Sequence, residues 1–348
     1  MIDLTVDSIN EYITSRSSTV PPWVAKSVQV VRCEEVKEET YVNYIFRVDL
    51  KVGGKSFSVY LRQTRDHLKS SPQRKLDPNR IQFEARIHNL LNGIMKGVVP
   101  EVLYLDKENN VAVLSDVKTG CPLLVTELLR GRPHPETGTY FGKVLAEFHS
   151  KTLGISNAKV HGSLKKNIAA VNFHLGMRMD PALKMFPDLA EKLLLDSSRV
   201  KKCLVLGDLT SKNIFVEGKK IRFLDLERAF VGDPAFDLGY LFAHYLTEVK
   251  PENLRKSINF IDLFMKTYRK IMVIRIGGGN MTKMENRVTR FLGAMILFRF
   301  FGLYFVATIK RDTDFWKGAA KDLLADNSEA SLPVLLASLL RLQDLVLQ

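Results

Sequence analysis

The sequence predicts an α+β protein with a small antiparallel sheet and one helix in its N-terminal part and a larger, mainly helical C-terminal part. Over the first 115 or so residues, short segments that alternate apolar and polar side chains are separated by turn residues. Further along, apolar side chains recur at helical spacing. The 348 residues suffice for about two domains of roughly 150 residues each. We place the two parts at residues 1–116 and 117–348.

The predicted strands of the N-terminal part follow one another closely. Residues 27–33, Tyr44–Val52 and 56–62 have strand patterns, and Gly53-Gly54 is a hairpin turn signal between the last two. Residues 102–105 and 111–114 predict two further short strands. Residues 78–91 predict the single helix, because five residues share one face at helical spacing. These are Ile81, Ala85, Ile87, His88 and Leu91. The basic stretch between residues 69 and 80 contains Pro and Ser and is interpreted as a loop.

The C-terminal part is predicted to be helical except for one strand–loop–strand segment at residues 203–226. Gly138–Lys151 and residues 186–195 are amphipathic. Most of the chain after residue 237 is expected to be helical, with a flexible connection at Gly277–Gly279 and a packed terminal helix at residues 332–347. Residues 291–309 are apolar enough to suggest a membrane span, but a charge at the centre of a span, here Arg299, is costly in lipid. We therefore expect a helix buried in protein and no membrane association.

Composition excludes several classes of protein. Hydrophobic residues make up 46% of the chain, as in globular proteins, so global disorder and collagen-like repeats are not expected. The three cysteines, Cys33, Cys121 and Cys203, are too few and scattered for a disulfide framework or a thiolate metal site, which favours a reducing, cytoplasmic compartment. The net charge of +13 attracts anions of any kind. Nucleic acid is not expected, because no aromatic residue is interleaved with the densest basic segment.

Residues 204–238 contain the side chains of greatest chemical interest. An apolar segment ends at Gly207-Asp208, and Asn213 follows five residues later. A predicted hairpin then leads to Asp225 and Glu227. Transfer of a phosphoryl group from ATP requires a carboxylate near the acceptor hydroxyl and oxygen ligands for Mg²⁺. This spacing of acid and amide side chains is typical of kinase catalytic loops.

The same segment resembles the aminoglycoside phosphotransferase/choline kinase-like family, which has the bilobal protein-kinase fold. That family carries an HGDxxxxN motif, then a metal-binding Asp, then GDPxxD. The corresponding residues are Gly207-Asp208 with Asn213, then Asp225, then the sequence GDPAFD at residues 232–237. The resemblance implies that Asp208 is the catalytic base and that Asn213 and Asp225 bind magnesium. It further implies that Asp233 and Asp237 support the catalytic loop.

Three short pieces resemble the 5-methylthioribose kinases within that family. Asp225-Leu226-Glu227 is similar to their Asp-x-Glu motif, which implies that Glu227 is a further metal ligand, although a surface acid on a loop is nearly as good an interpretation. Residues 114–118 resemble their hinge, which places Ser115, Asp116 and Val117 against the adenine. Residues 293–303 resemble a late helix with paired arginines near the substrate, of which only Arg299 is present here. A buried structural arginine paired with a carboxylate is an equally good interpretation of Arg299.

Three positions depart from the family pattern. Leu206 replaces the motif histidine, and Arg62 stands where a strand lysine should contact the phosphates, with Glu84 as its expected partner. Arginine keeps the charge but differs in length and shape. The turn at residues 38–43, which includes Asn43 and should cover the phosphates, has no glycine.

These residues predict an ATP- and Mg²⁺-dependent kinase that phosphorylates a hydroxyl of a small sugar or aminoalcohol, with a methylthioribose-like sugar as one candidate. The alternative is a catalytically weak or silent nucleotide-binding scaffold. A protein kinase is not favoured, because the His-Arg-Asp, Asp-Phe-Gly and Ala-Pro-Glu sequences are absent. A monomer and a homodimer are both compatible with the sequence.

Overall fold

The computed structural model describes residues 2–16, 28–37, 42–117, 120–161, 164–302, 313–325 and 332. The chain divides into two compact units. Unit 1 comprises Met1–Gly120 and Arg222–Glu227, and unit 2 comprises Cys121–Ile221 and Arg228–Gln348. A segment that follows the catalytic loop in sequence therefore belongs to unit 1.

Within its described residues, unit 1 is built on a five-stranded antiparallel sheet in the order β1-β2-β3-β7-β6. Its strands are β1 (Val28–Glu35), β2 (Tyr44–Val52), β3 (Lys55–Gln63), β6 (Val102–Asp106) and β7 (Val111–Ser115). The β2–β3 hairpin is confirmed, with Val52 opposite Lys55. Gly53 and Gly54 have φ values of 55° and 82°, which only glycine adopts without strain at both positions of such a turn.

Two helices and a short hairpin complete the described part of unit 1. The predicted helix is α2 (Arg80–Ile94), and all five residues of its predicted apolar face are buried. A further helix, α1 (Ile9–Ser15), was not predicted, and its Tyr12 and Ile13 pack into the core of the sheet. The loop prediction for residues 69–80 was wrong in part, because β4 (His67–Leu68) pairs with β5 (Ser71–Lys75).

Unit 2 is mainly helical, as predicted. Its described helices are α3 (Leu124–Leu129), α4 (Gly138–Lys151), α5 (Asn157–His161), α6 (Leu164–Met185), α7 (Pro187–Ser198), α8 (Ala235–Thr247), α9 (Leu254–Ile276), α10 (Gly278–Phe301) and α11 (Thr313–Leu324). Every residue of α8 is buried. The backbones of α8 and α10 approach closely, since a Cβ on Gly239 would lie 2.6 Å from Cβ of Phe291.

Short strands position the chemical segment. β8 (Cys203–Val205) pairs antiparallel with β11 (Phe230–Gly232), and Asp208 follows β8. β9 (Ile214–Glu217) and β10 (Lys220–Phe223) form a two-stranded sheet, and Asp225 follows β10. Asp208 and Asp225 thus each lie just beyond the end of a strand.

The connection between helices predicted at Gly277–Gly279 is confirmed but is shorter than expected. Gly277 alone separates α9 from α10, and Gly278 and Gly279 lie in the first turn of α10. Gly277 has φ 80°, a backbone conformation that favours glycine at the end of a helix.

The apolar segment from residue 291 forms the C-terminal half of α10, which ends at Phe301 and is buried as far as Phe300. No helix in the described ranges combines the length and apolar character needed to cross a membrane. The predicted terminal helix, apart from residue 332, and residues 303–309 lie outside the described residues.

Gly142→Ala is expected to destabilise the protein, because a Cβ at this position of α4 would lie 2.3 Å from the carbonyl oxygen of Phe264 in α9. Overpacking of this kind costs about 1–3 kcal/mol. Gly318→Ala in α11 is the matched control, since its Cβ would meet nothing within 4 Å. Because alanine favours a helix, the control should gain up to about 1 kcal/mol. Urea denaturation followed by circular dichroism compares the two, and equal stabilities would contradict the close α4–α9 packing.

Candidate functional site

Arg62 on β3 lies among three carboxylates in unit 1. Its Nη2 donates to Oδ1 of Asp225 at 2.7 Å and lies 3.4 Å from Oε2 of Glu227. Its Nε lies 2.9 Å from Oε2 of Glu84, an ion pair without hydrogen-bond alignment. Arg62 is only 7% exposed, and a buried cation is stable only when it is paired. We call Arg62, Glu84, Asp225 and Glu227 the Arg62 cluster.

Charge within the cluster outweighs the effect of burial. Burial opposes the charged form of Arg62, but the carboxylates of Asp225, Glu84 and Glu227 raise its pKa overall. For Glu84, burial favours the neutral acid, but Arg62 and then His88 lower its pKa. Both partners are therefore held in their charged forms.

Glu84 also connects α2 to the segment that carries Asp225. Its Oε1 accepts a hydrogen bond from the backbone N–H of Leu226 at 3.3 Å. Asp225 itself has φ 55°, in the left-handed region that few residues other than glycine adopt. Such backbone strain persists where surrounding contacts impose it, and it is common at functional sites.

Asn43 belongs to the same network. Its Nδ2 donates to Oε2 of Glu227 at 2.8 Å, and its Oδ1 accepts from Nη2 of Arg80 at 2.7 Å. Burial lowers the pKa of Arg80, and Arg62 adds to that effect. Asn43, which was predicted from the phosphate-covering turn, thus lies within hydrogen-bond distance of Glu227. Residues 38–41 of that turn lie outside the described residues.

The hinge residues occupy a separate part of unit 1, at the end of β7. Oγ of Ser115 accepts a hydrogen bond from the backbone N–H of Glu101, and the carbonyl of Val117 accepts from Nη1 of Arg222 at 2.6 Å. Asp116 lies between them in sequence. Lys118 is outside the described residues, and the adenine contact of this segment stays a prediction.

The catalytic loop of unit 2 is held by Asp237. The two oxygens of Asp237 accept hydrogen bonds from the backbone N–H groups of Leu206, at 2.7 Å, and Gly207, at 3.0 Å. Asp237 is fully buried in the first turn of α8. Gly207 has φ 78°, and a Cβ there would lie 2.2 Å from the carbonyl oxygen of Arg228. The loop therefore requires glycine at this position, directly before Asp208.

Three side chains surround Asp208 in unit 2. Nη2 of Arg178 donates to Oδ1 at 2.6 Å, and Nε of Arg228 lies 3.9 Å from Oδ2. Nδ2 of Asn213 donates to the carbonyl oxygen of Asp208 at 3.1 Å, which leaves Oδ1 of Asn213 as its acceptor group. Arg178 is 2% exposed and lies 4.8 Å from the ring centroid of Tyr240. Sequence reasoning missed Arg178, because it comes from α6 and belongs to no local motif.

Arg178 also determines the state of His174, one turn earlier on α6. Nη1 of Arg178 lies 3.3 Å from Nδ1 of His174. Because arginine can only donate, the imidazole must accept at Nδ1 and is neutral. Burial, with the charge of Arg178, lowers the pKa of His174 to about 2.

Arg299 is buried in unit 2 and ion-paired. Its Nη2 donates to Oε1 of Glu248 at 2.8 Å, and its Nη1 lies 2.7 Å from Nδ1 of His244. Burial tends to raise the pKa of Glu248, but His244 and Arg299 lower it to about 2. This is the geometry expected for a structural arginine, and the substrate contact of Arg299 stays a prediction.

The donor atoms fit the chemistry of magnesium, which prefers oxygen ligands. Asp225 and Glu227 have carboxylates in unit 1 and Asn213 has an amide oxygen in unit 2, and their binding of magnesium stays a prediction. The side chain of Asp225 is 28% exposed and accessible to solvent, although it already contacts Arg62.

Arg62→Met is expected to destabilise the protein by about 3–5 kcal/mol, because it leaves the carboxylate of Glu84 buried without its partner. The double variant Arg62→Met/Glu84→Met should lose much less than the sum of the two single variants. Chemical denaturation of all four proteins measures this coupling. Additive losses would contradict the ion pair.

His174→Gln is expected to flatten the acid dependence of stability. The unfolded state binds a proton near pH 6.5 and the folded state only near pH 2, so His174 costs stability as the pH falls below about 6.5. The loss in free energy of unfolding approaches about 1.4 kcal/mol per pH unit. The free energy of unfolding of both proteins between pH 7 and 5 tests this, and parallel curves would contradict a neutral His174.

Comparison with known proteins identifies the family of this chain. Residues 51–271 match the phosphotransferase enzyme family. The methylthioribose kinase of Bacillus velezensis is 26% identical over 276 residues, which cover 70% of this chain and 68% of that protein.

Two solved kinases share the fold at low identity. A choline kinase from Cryptosporidium parvum has a TM-score of 0.52 and 12% identity, covering 97% of this chain and 94% of that one. A Plasmodium vivax ethanolamine kinase has a TM-score of 0.52 and 13% identity, covering 97% and 87%. Since the family match spans well over half of the sequence, the chain belongs to the phosphotransferase enzyme family and is a small-molecule kinase.

Proposed function

We propose that this kinase transfers the γ-phosphoryl group of ATP to a hydroxyl of a small sugar or aminoalcohol, in a magnesium-dependent reaction. The main observation is the loop of Asp208, which Asp237 holds through two backbone N–H groups and which Asn213 contacts five residues later. A methylthioribose-like sugar is the first candidate acceptor, because a methylthioribose kinase is among the relatives.

Asp208 is the proposed base. Its Oδ1 is engaged by Arg178 at 2.6 Å, whereas Oδ2 has only longer contacts, with Nδ2 of Asn213 at 3.4 Å and Nε of Arg228 at 3.9 Å. We therefore assign Oδ2 as the atom that accepts the proton of the acceptor hydroxyl. A base within hydrogen-bond reach of that proton increases the nucleophilicity of the oxygen as the bond to phosphorus forms.

Arg62 is the proposed phosphate contact, in place of the family lysine. Its pairing with Glu84 supports this assignment, because the lysine it replaces should have the same partner. Asp225, Glu227 and Asn213 are the proposed magnesium ligands, and Mg²⁺, when bound, offsets charge on the phosphates. Asn43 is proposed to lie near the phosphates, and Ser115, Asp116 and Val117 near the adenine.

The silent-scaffold alternative is not favoured. Asp208, Asn213 and Asp225 of the family motif are all present. Arg62 places a cation beside Glu84. The cytoplasmic location and the oligomeric state stay predictions.

Asp208→Asn is expected to lower kcat by at least about 100-fold, because general-base catalysis contributes factors of that size. ATP binding should change little, since Asp208 is not among the proposed nucleotide contacts. Asp188→Asn, at an exposed position in the first turn of α7, is the control and should keep full activity. ADP formation measures turnover and calorimetric titration measures nucleotide binding. Wild-type turnover in Asp208→Asn would rule out the assignment.

A screen for ADP formation should identify the acceptor class. Methylthioribose, related thiosugars, choline and ethanolamine are offered in parallel with ATP and Mg²⁺. We expect the sugars to give more turnover than the aminoalcohols, in line with the methylthioribose kinase among the relatives. Turnover with choline or ethanolamine alone would contradict this choice of acceptor.

A further inference from the structure

Unit 2 contains a cavity of about 720 Å³ whose wall is strongly basic. It is lined by residues near the end of α7, the end of α9 and the start of α10. Asp208, Asn213 and Arg178 are not among the lining residues, so the cavity is separate from the proposed base. Five cationic side chains line it, with a single carboxylate. These are Arg199, Lys201, Arg275, Lys283 and Arg287, together with Asp196.

Four of these cations have no partner of opposite charge among the described residues. Arg287 is buried and donates from Nε to Oδ2 of Asp233 at 2.6 Å, and Asp196 accepts from Nη1 of Arg290 at 2.7 Å. The one carboxylate of the wall is therefore already neutralised. The side chains of the other four basic residues are exposed and form no ion pair or hydrogen bond within the part of the chain that the structure describes.

Three polar side chains also line the cavity, of which Asn280 and Thr282 already donate to the carbonyl oxygens of Ile276 and Gly278. Asn280, Thr282 and Asn286 line it beside Lys283. They lie in the first turns of α10, a helix of 24 residues, whose N-terminal end is the positive end of its dipole. Gly278 and Gly279 begin that helix, and a Cβ on either would meet nothing within 4 Å.

Size and charge together select the class of ligand. The volume lies in the range of small-molecule pockets, about 300–1,000 Å³. A single phosphate or carboxylate would leave most of the four unpaired charges uncompensated. An anion with three or more negative charges in a compact chain would neutralise them, and Lys and Arg are the usual partners of phosphate groups.

We propose that this cavity is a binding site for a polyphosphate anion, distinct from the catalytic site. The four unpaired cations bind the phosphate oxygens, and the side-chain amide of Asn286 on α10 adds a hydrogen bond. Arg287 connects the wall of the cavity to Asp233. Oδ1 of Asp233 in turn accepts a hydrogen bond from the N–H of Ala235, at the start of the helix α8 that carries Asp237. A ligand here thus lies next to the segment that holds the catalytic loop.

Titration calorimetry with inorganic tripolyphosphate, without Mg²⁺ and at about 0.15 M salt, tests the site. The variant Arg275→Gln/Lys283→Gln removes two of its cations. The control, Arg255→Gln/Lys256→Gln, removes the same charges from exposed positions on α9 about 30 Å from Arg275. We expect saturable binding to the wild type that weakens at least about tenfold in the cavity variant and less than about twofold in the control. Basal kinase activity should be unchanged in both variants, because neither alters a proposed catalytic residue.

Three results would overturn the proposal. The first is no saturable binding of tripolyphosphate to the wild type. The second is an equal loss in both variants, because binding would then reflect the net charge of +13 and not this cavity. The third is binding of duplex DNA in place of tripolyphosphate, with the steep salt dependence of a nucleic-acid contact. Since the readout is binding, a failure here is distinguishable from absence of kinase activity.

Discussion

One buried cation, the guanidinium of Arg62, determines how the acidic residues of unit 1 are arranged. It contacts carboxylates from α2 and from the segment after β10, and those of Glu84 and Glu227 are buried with it. Without a cation, like charges at these distances would repel one another and one acid would take up a proton. Arg62 therefore keeps Glu84 charged and holds Asp225 and Glu227 together. The planar guanidinium of arginine can contact three acids from one position, and lysine has no such fork of donors. The replacement of lysine by Arg62 therefore changes which carboxylates this position can hold.

The catalytic loop of unit 2 depends on a different kind of constraint. Asp237 does not contact the proposed base and acts on the backbone before it, through the N–H groups of Leu206 and Gly207. Residue 206 contributes its backbone N–H, and not its side chain, to this contact. Leu206 can therefore stand where the family motif has a histidine. Arg178 then fixes one oxygen of Asp208 from a helix far away in sequence. Backbone and side chain of the loop are thus held by separate partners.

The sequence predicted those features that depend on local pattern. β2 and α4 have the predicted bounds, and the motif at residues 207–237 identified the family. α1 was missed because seven residues contain too few turns to show a helical period, and β4 and β5 because their side chains are mostly polar. Arg178 could not be predicted, since only the packing of α6 brings it to Asp208. For Arg299 the pattern allowed two interpretations, and only the fold reveals Glu248 beside it.

The most direct test of the account is a crystal structure with an ATP analogue and Mg²⁺ bound. The account predicts that the guanidinium of Arg62 keeps its contact with Glu84 and turns from Asp225 towards the phosphates, while oxygens of Asp225 and Asn213 face the cation. An Arg62 that remains on Asp225, with the cation held by other residues, would contradict it.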